Sequence, residues 1–256
     1  MTSLQGKVAI VTGSSLPNGI GLATAKLFAQ AGASVFLVAE GTAKQLQEAQ
    51  AACRQLAPNA GVEYAAYDLS VSGNAEKMVA QAARLFGRVD ILVNNAAARI
   101  SKNLGDYTRA DFETVVAVNL AAPFFACQAV IPLMREQGGG RIINVASQLA
   151  KVALPQRALY GLTKAALVHL TKSLACELGK DGIVVNSISP GPTATQRSIE
   201  RQNADPELQR RLESDIPLGR FGEPTEIAEL AFFLATTDAT FLQGEDICID
   251  GGYTAH

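Results

Sequence analysis

VAIVTGSSLPNGIGLATAKLFA, residues 8–29, runs from a short β-branched apolar stretch through a glycine-punctuated turn into a helical pattern. Gly13, Gly19 and Gly21 mark the turn. Glycine permits positive φ and close backbone approach, and a helix beginning there aims its N-terminus at whatever lies over the turn. That arrangement suits a pyrophosphate. The spacing is G-x5-G-x-G rather than the G-x-G-x-x-G fingerprint, so a tightly packed turn with no ligand is the competing reading. Glu40 ends the next apolar run, nineteen residues after Gly21, about where an acid can meet the adenosine ribose hydroxyls of NAD. Its plainer reading is a solvated residue opening a loop.

The same alternation continues outward from this stretch. KVAIVTG, SVFLVAE, VEYAAYD, VDILVNNA, GRIINVAS, GIVVNSIS and EDICIDG read as seven short strands, closed mostly by Gly, Asn, Asp or Ser. Helical patterns fall between them, at Gly19–Ala31, Thr42–Leu56, Asn74–Phe86, Arg109–Gln137, Leu159–Leu178 and Glu223–Ala235. Continuous apolar strands alternating with helices imply a buried sheet covered on both faces. With no linker, repeat or low-complexity segment, residues 1–256 read as a single Rossmann-like, doubly wound α/β domain of seven mostly parallel strands flanked by helices. Residues 190–217 are polar and proline-broken, with RQNADPELQRRLESD reading as one or two short exposed helices. They would leave the carboxyl end of the sixth strand, where ligands bind, so a substrate lid and a plain surface excursion are both open.

Composition removes several function classes. The 256 residues are 48% hydrophobic, enough for a sizeable core, and the net charge of −2 gives no case for nucleic acid or an anionic membrane. The N-terminal residues lack the long apolar segment of a signal peptide, and no window reaches the roughly 18 apolar residues of a membrane span. Cys53, Cys127, Cys176 and Cys248 have no metal-like spacing, and three sit in apolar stretches as small core residues. With two histidines, His169 and His256, a His-based metal site is not expected. A reduced, cytoplasmic protein is the expectation.

The chemistry lies in YGLTK. Tyr160 and Lys164 are four residues apart, which on a helix puts phenol and ammonium on one face. A tyrosine of pKa about 10 is a poor base at neutral pH, and a neighbouring positive charge lowers that value. Ser147, thirteen residues earlier, can hold a carbonyl or alcohol oxygen. The trio reads as proton transfer at a secondary alcohol or ketone, although such a Tyr–Lys pair alone is usually one solvated helix face.

Taken together, TG-x5-GIG, the NNA of Asn94–Ala96, Asn119, Ser147, Tyr160-x3-Lys164, the PG of Pro190–Gly191 and the DGG of Asp250–Gly252 resemble the short-chain dehydrogenases/reductases, in their shorter single-domain form, from Lys7 to Thr254. The resemblance implies a general acid/base in Tyr160, a Lys164 that lowers its pKa and binds the nicotinamide ribose, a Ser147 that holds the substrate oxygen, and an Asn119 that holds a water linking Lys164 to solvent. It implies a pyrophosphate cradle of Gly13, Ser15, Gly19, Ile20 and Gly21. Asp68 would meet the adenine amino group, Leu69 the ring, and Asn94 and Ala96 the adenosine side. Pro190 and Gly191 would border the cofactor, with Thr193 and Thr195 by its pyrophosphate or carboxamide. It also implies homo-oligomers, commonly tetramers, and the helical pattern Leu159–Leu178, apolar on more than one face, agrees with that.

The chain departs from the family pattern in its glycine loop, two residues longer than usual, in Ala97 and Ala150 where glycines are common, and in its cofactor-selecting position. The NAD-selecting aspartate aligns with Ala39, while Glu40 falls where NADP users often carry arginine. A carboxylate there repels a 2′-phosphate, so NAD(H) is expected over NADP(H). For substrate, the candidate lining of Leu149, Gln156, Arg99 and Arg197 beside Ser147 and Tyr160 is compatible with a polyol or sugar, a hydroxy acid or a 3-oxoacyl thioester. A dinucleotide-binding regulator without turnover, and an enoyl reductase, are the alternatives. The first has no need of all four catalytic-type residues, and the second usually spaces its Tyr and Lys more widely.

Overall fold

The computed structural model describes residues 3–196, 198–200 and 206–255. Seven strands form one sheet: β1 (Val8–Thr12), β2 (Ser34–Ala39), β3 (Val62–Ala66), β4 (Ile91–Asn94), β5 (Gly140–Val145), β6 (Ile183–Pro190) and β7 (Asp246–Ile249). Their order is β3-β2-β1-β4-β5-β6-β7. Every pairing is parallel, in line with the expected mostly parallel sheet. The seven segments expected as strands are the seven observed.

Alternate side chains explain the two layers. Ala9 and Val11 of β1, Val35 and Leu37 of β2, and Ile143 of β5 face one core. Ile10, Phe36, Val38 and Ile142 face the other. The first is covered by α1 (Ile20–Gln30) and α2 (Ala43–Leu56), with the late helix Pro224–Thr236 packed on α1. The second is covered by α3 (Asn74–Phe86), α5 (Ala122–Glu136) and α6 (Ala158–Leu178). The crossovers therefore lie on both faces and the topology reverses between β1 and β4, which opens a crevice beyond the carboxyl ends of those strands.

The helix expected at Arg109–Gln137 is interrupted. α4 (Arg109–Val116) passes into a π-turn at Ala117–Ala121 before α5 begins. Pro123 gives the reason: it has no N–H to return to the Asn119 carbonyl four residues earlier, and its ring crowds that carbonyl. The turn closes instead with Ala122 N–H on Ala117 O, and Asn119 is wholly buried. Such π-turns concentrate at functional sites. The segment Arg109–Glu136 is long and apolar enough by composition to cross a membrane, contrary to the window reading; here Ala122, Ala126, Cys127, Val130 and Met134 bury into the second core.

Of the exposed segment at 201–215, residues 201–205 lie outside the described part, and Pro206–Ser214 forms a helix, α7, ahead of α8 (Pro224–Thr236). Its base is fixed. Leu218 N–H donates to Gly251 O at 3.1 Å, and a Cβ on Gly251 would stand 2.7 Å from Ile216. The DGG turn thus serves as the seat on which the candidate lid rests. The four cysteines are free thiols; Cys53 and Cys127 are core residues, whereas Cys248 is partly exposed and Cys176 exposed.

Candidate active site

The residues singled out in the sequence gather at the carboxyl edge of the sheet because each follows the end of a parallel strand. Gly13–Gly21 follow β1, Glu40 follows β2, Asp68 and Leu69 follow β3, Asn95 and Ala96 follow β4, Ser147 follows β5, and Gly191–Thr195 follow β6.

The glycine turn packs tightly. Gly13 has φ 69°, in the left-handed region. A Cβ on Gly21 would stand 2.4 Å from Gly13 O and 2.6 Å from Asn95 Nδ2, so this helix turn must be glycine. The two extra loop residues fold outward: Gly19 N–H closes a turn on Leu16 O at 3.0 Å, leaving Pro17 and Asn18 exposed. Gly19 then begins α1 with no side-chain cap and no acidic residue in the first turn. An uncapped helix N-terminus presents free N–H groups and a positive dipole end, which fits an anionic diphosphate. Ser15 is buried beside Gly41, bringing the exposed Glu40 next to the same turn.

Residues the sequence reading did not single out hold this edge together. Thr12 Oγ1 accepts from Asn95 N–H at 2.9 Å and Ala96 N–H at 3.0 Å, while Asn95 Nδ2 donates to Thr12 O at 2.8 Å. Ser14 Oγ donates to Val11 O and accepts from Val38 N–H. The only sequence signal was the hydroxyl and amide content of the motif ends.

Several expected cofactor contacts have other employment. Asn94 points under the sheet, where Nδ2 donates to Asn144 Oδ1 at 2.9 Å; Asn144 in turn donates to Thr171 Oγ1. Its side chain stitches β4 to β5 and, through Asn144, to α6. The Leu69 side chain belongs to the second core, and Ile20 packs against the first. Asp68 Oδ1 closes a turn on Ser70 N–H at 2.8 Å. Thr195 starts the short helical turn ahead of residue 197 and donates to Ser198 Oγ at 3.4 Å, while Thr193 Oγ1 donates to Gly191 O. Gly191 is required by packing, since a Cβ would meet Asp250 at 2.6 Å. Pro190 ends β6 in the buried sheet. Arg197 lies outside the described residues.

Ser147, Tyr160, Lys164 and Asn119 do converge. Ser147 Oγ accepts from Leu149 N–H at 3.2 Å, and its hydroxyl is near enough to the Tyr160 phenol to help hold that group's pKa down. Lys164 is 1% exposed, its Nζ donating to Val145 O at 2.7 Å and standing 5.6 Å from the Tyr160 ring centre. Asn119 is a clamp: its Oδ1 accepts from Ala98 N–H at 2.7 Å, and its Nδ2 donates to Ala98 O at 2.9 Å and Thr163 Oγ1 at 3.0 Å. Thr163 passes the contact on, donating to Tyr160 O. Both N–H donors of the amide are therefore committed.

The electrostatics differ from the simple expectation that Lys164 lowers the Tyr160 pKa. Burial pushes the phenol up, and the groups that pull it back are Arg99, the Ser147 hydrogen bond and Arg157. Lys164 is itself lowered to about 8 by burial. Gln156 and Leu149 flank this centre. Gln156 is exposed and holds φ 62°, the one non-glycine residue with positive φ among those described. Leu149 lines, with Val152, Leu154 and Leu162, a cleft of about 330 Å³ between the Ser147 loop and the outer face of α6. Ser147 and Tyr160 are not among its lining residues.

Comparison with known proteins fits this geometry. A family model described as enoyl-(acyl carrier protein) reductase matches residues 13–254. The chain is 39% identical over 255 residues to a D-threitol dehydrogenase of Mycolicibacterium smegmatis, covering 98% of this chain and 94% of that one. It is 34% identical over 259 residues to a D-beta-hydroxybutyrate dehydrogenase of Rhizobium meliloti, covering 97% and 99%. A Beutenbergia cavernae structure assigned as an NAD(P)-dependent gluconate 5-dehydrogenase, with NADP at low occupancy, superposes with a TM-score of 0.92 at 30% identity, covering 100% and 99%. An all-parallel doubly wound sheet, an uncapped helix after a glycine turn and these relatives along the whole chain lead to one conclusion: the protein belongs to the short-chain dehydrogenase/reductase family of NAD(P)-dependent oxidoreductases.

Proposed function

We propose that the protein interconverts a secondary alcohol and a ketone with Tyr160 as general acid/base, and that it prefers NAD(H) to NADP(H). The observation that carries the reading is the convergence of the Ser147 hydroxyl and the buried Lys164 ammonium on the Tyr160 phenol. Bound at the glycine turn, the dinucleotide supplies hydride acceptance or donation. The chain's own groups do the rest. In oxidation Ser147 holds the carbinol oxygen, Tyr160 takes its proton, and the carbon left without its hydride becomes the carbonyl carbon; reduction runs the same transfers backward. Proton traffic past Lys164 would use the main-chain carbonyl of Asn119, which Pro123 cannot satisfy, since the Asn119 amide is committed to Ala98 and Thr163.

Glu40 supports the cofactor preference. It stands exposed beside Ser15 and Gly41 at the end of β2, where its charge opposes a 2′-phosphate. The exposed apolar residues Phe112, Phe124 and Phe125 on α4 and α5, with Leu162 on α6, support a homotetramer assembled on those helices. The description of the matching family model favours enoyl reduction as a second reading; the three-residue gap between Tyr160 and Lys164 weighs against it.

Steady-state absorbance kinetics with both cofactors, across polyols, hydroxy acids and 3-oxoacyl esters, test the reading. Tyr160→Phe is expected to lose more than 99% of turnover with NAD affinity nearly unchanged. A variant keeping half of wild-type turnover, or wild-type efficiency equal with NADPH, would count against the corresponding assignment.

A further inference from the structure

We infer that the substrate carries a carboxylate close to its reacting carbinol or carbonyl, and that Arg99 and Arg157 bind it. The inference rests on the Tyr160-centred reading and adds the substrate's charge.

The guanidinium carbon of Arg99 lies 5.9 Å from the centre of the Tyr160 ring. It is held there by a rigid loop, not a floppy one, because Asn119 grips both the N–H and the C=O of the adjoining Ala98 from inside the core. Arg157 is the residue from which α6 starts, three positions before Tyr160. Its Nη1 donates to Gln156 O at 3.2 Å, across a backbone at φ 62°. A bulky residue held in that region stores strain, and strain of this kind clusters at ligand sites.

One hydroxyl joins the two arginine loops. Tyr107 Oη donates to Ile100 O at 3.0 Å and reaches Gln156 O at 3.5 Å. Arg99 and Arg157 are thereby set on a common frame around the reacting phenol, and both bear on it electrostatically, as does no carboxylate among the described residues. Each brings a permanent guanidinium to the phenol. A polyol offers that pair only neutral acceptors, whereas a carboxylate matches a guanidinium fork with two charge-assisted hydrogen bonds. A guanidinium has five donors, so an existing contact of either arginine does not prevent this.

The test is kinetic and uses the intact NAD-loaded enzyme with matched pairs: 3-hydroxybutyrate against butane-1,3-diol, and gluconate against glucitol. The readout is the ratio of kcat/KM for acid to that for its uncharged counterpart. In the wild type at least one pair should favour the acid by about ten- to hundredfold, the range of one charge-assisted hydrogen bond. Arg99→Met should cut that ratio at least tenfold, mainly through the KM of the acid, and Arg99→Lys should restore part of it. A wild-type ratio near one in both pairs, or arginine variants that slow acid and diol equally, would overturn the inference. If neither member of any pair is turned over, the alcohol–ketone reading fails separately, and calorimetry still decides the carboxylate. Binding of 3-hydroxybutyrate or gluconate to the NAD-loaded wild type that Arg99→Met abolishes supports the site, and no binding of either refutes it.

Discussion

Lys164→Met separates the electrostatic cost of the catalytic-type lysine from everything else in the fold. The ammonium is 1% exposed, and burial brings its pKa from 10.5 down to about 8. In the unfolded chain it titrates near 10.4. Between those two values the native protein has shed a proton that the unfolded chain still binds, so stability rises with pH across that window. Below pH 8 both states carry the proton and the burial penalty is present in full. Working the linkage from about 8 and 10.5, the gain between pH 7 and pH 9.5 is about 2 kcal/mol. Methionine fills a similar volume without titrating. It also leaves Val145 O without its 2.7 Å donor, a cost of about 1–3 kcal/mol that does not change with pH. The assay is urea unfolding of the cofactor-free wild type and variant at half-unit steps from pH 7 to 9.5. The wild-type stability minus that of the variant should climb by about 2 kcal/mol over the range. Other titrating groups, including Cys53 raised to about 11 and Cys127 raised to about 12, are common to both proteins and cancel. A difference flat to within about 0.5 kcal/mol would mean that the lysine is solvated or charge-compensated in the native state, and the reasoning would fail.

Gly21→Ala should destabilise by about 1–2 kcal/mol, because the 2.4 Å approach to Gly13 O outweighs alanine's better helix propensity, and should weaken NAD binding; calorimetry showing both unchanged would refute the packing argument. Asp90→Ala should cost about 2–3 kcal/mol by denaturant unfolding at pH 7, since its carboxylate takes Arg88 at 2.6 and 2.7 Å, Lys7 at 3.2 Å and Val8 N–H at 3.0 Å. Burial raises the Asp90 pKa, but those partners outweigh it and hold the carboxyl below its ordinary value, so its contribution is present above about pH 4 and fades as pH falls through the native value. A wild-type acid limb no steeper than that of the variant would contradict this.

The strands, the helices between them and the residues carrying the chemistry were legible because they rest on local rules. A parallel strand buried on both faces must be an unbroken apolar run, and Val8–Thr12, Ser34–Ala39 and Ile183–Pro190 are such runs. The i,i+4 spacing fixes Tyr160 and Lys164 on one helix face without reference to any other element. What could not be read depended on long-range contact. The same burial on both faces that makes a strand readable hides which way a polar residue at its end will turn, so the hydrogen bond from Asn94 to Asn144 could not be read from the chain. Helical periodicity runs smoothly through Ala117–Ala121, and the π-turn forms because Pro123 withholds a donor while Ala98 and Thr163 offer Asn119 partners from 21 and 44 residues away. The charge on the phenol was likewise settled in three dimensions. Lys164 is its sequence neighbour, yet burial turns that ammonium to Val145 O, and the arginine at the phenol arrives from position 99, on another strand's loop. The sequence by itself determined the elements and the candidate reacting residues, since both follow from spacing along the chain. Only the tertiary structure decided their order in the sheet, which polar groups are consumed in holding the crevice open, and which charges face the phenol, because burial and contact depend on where distant segments meet.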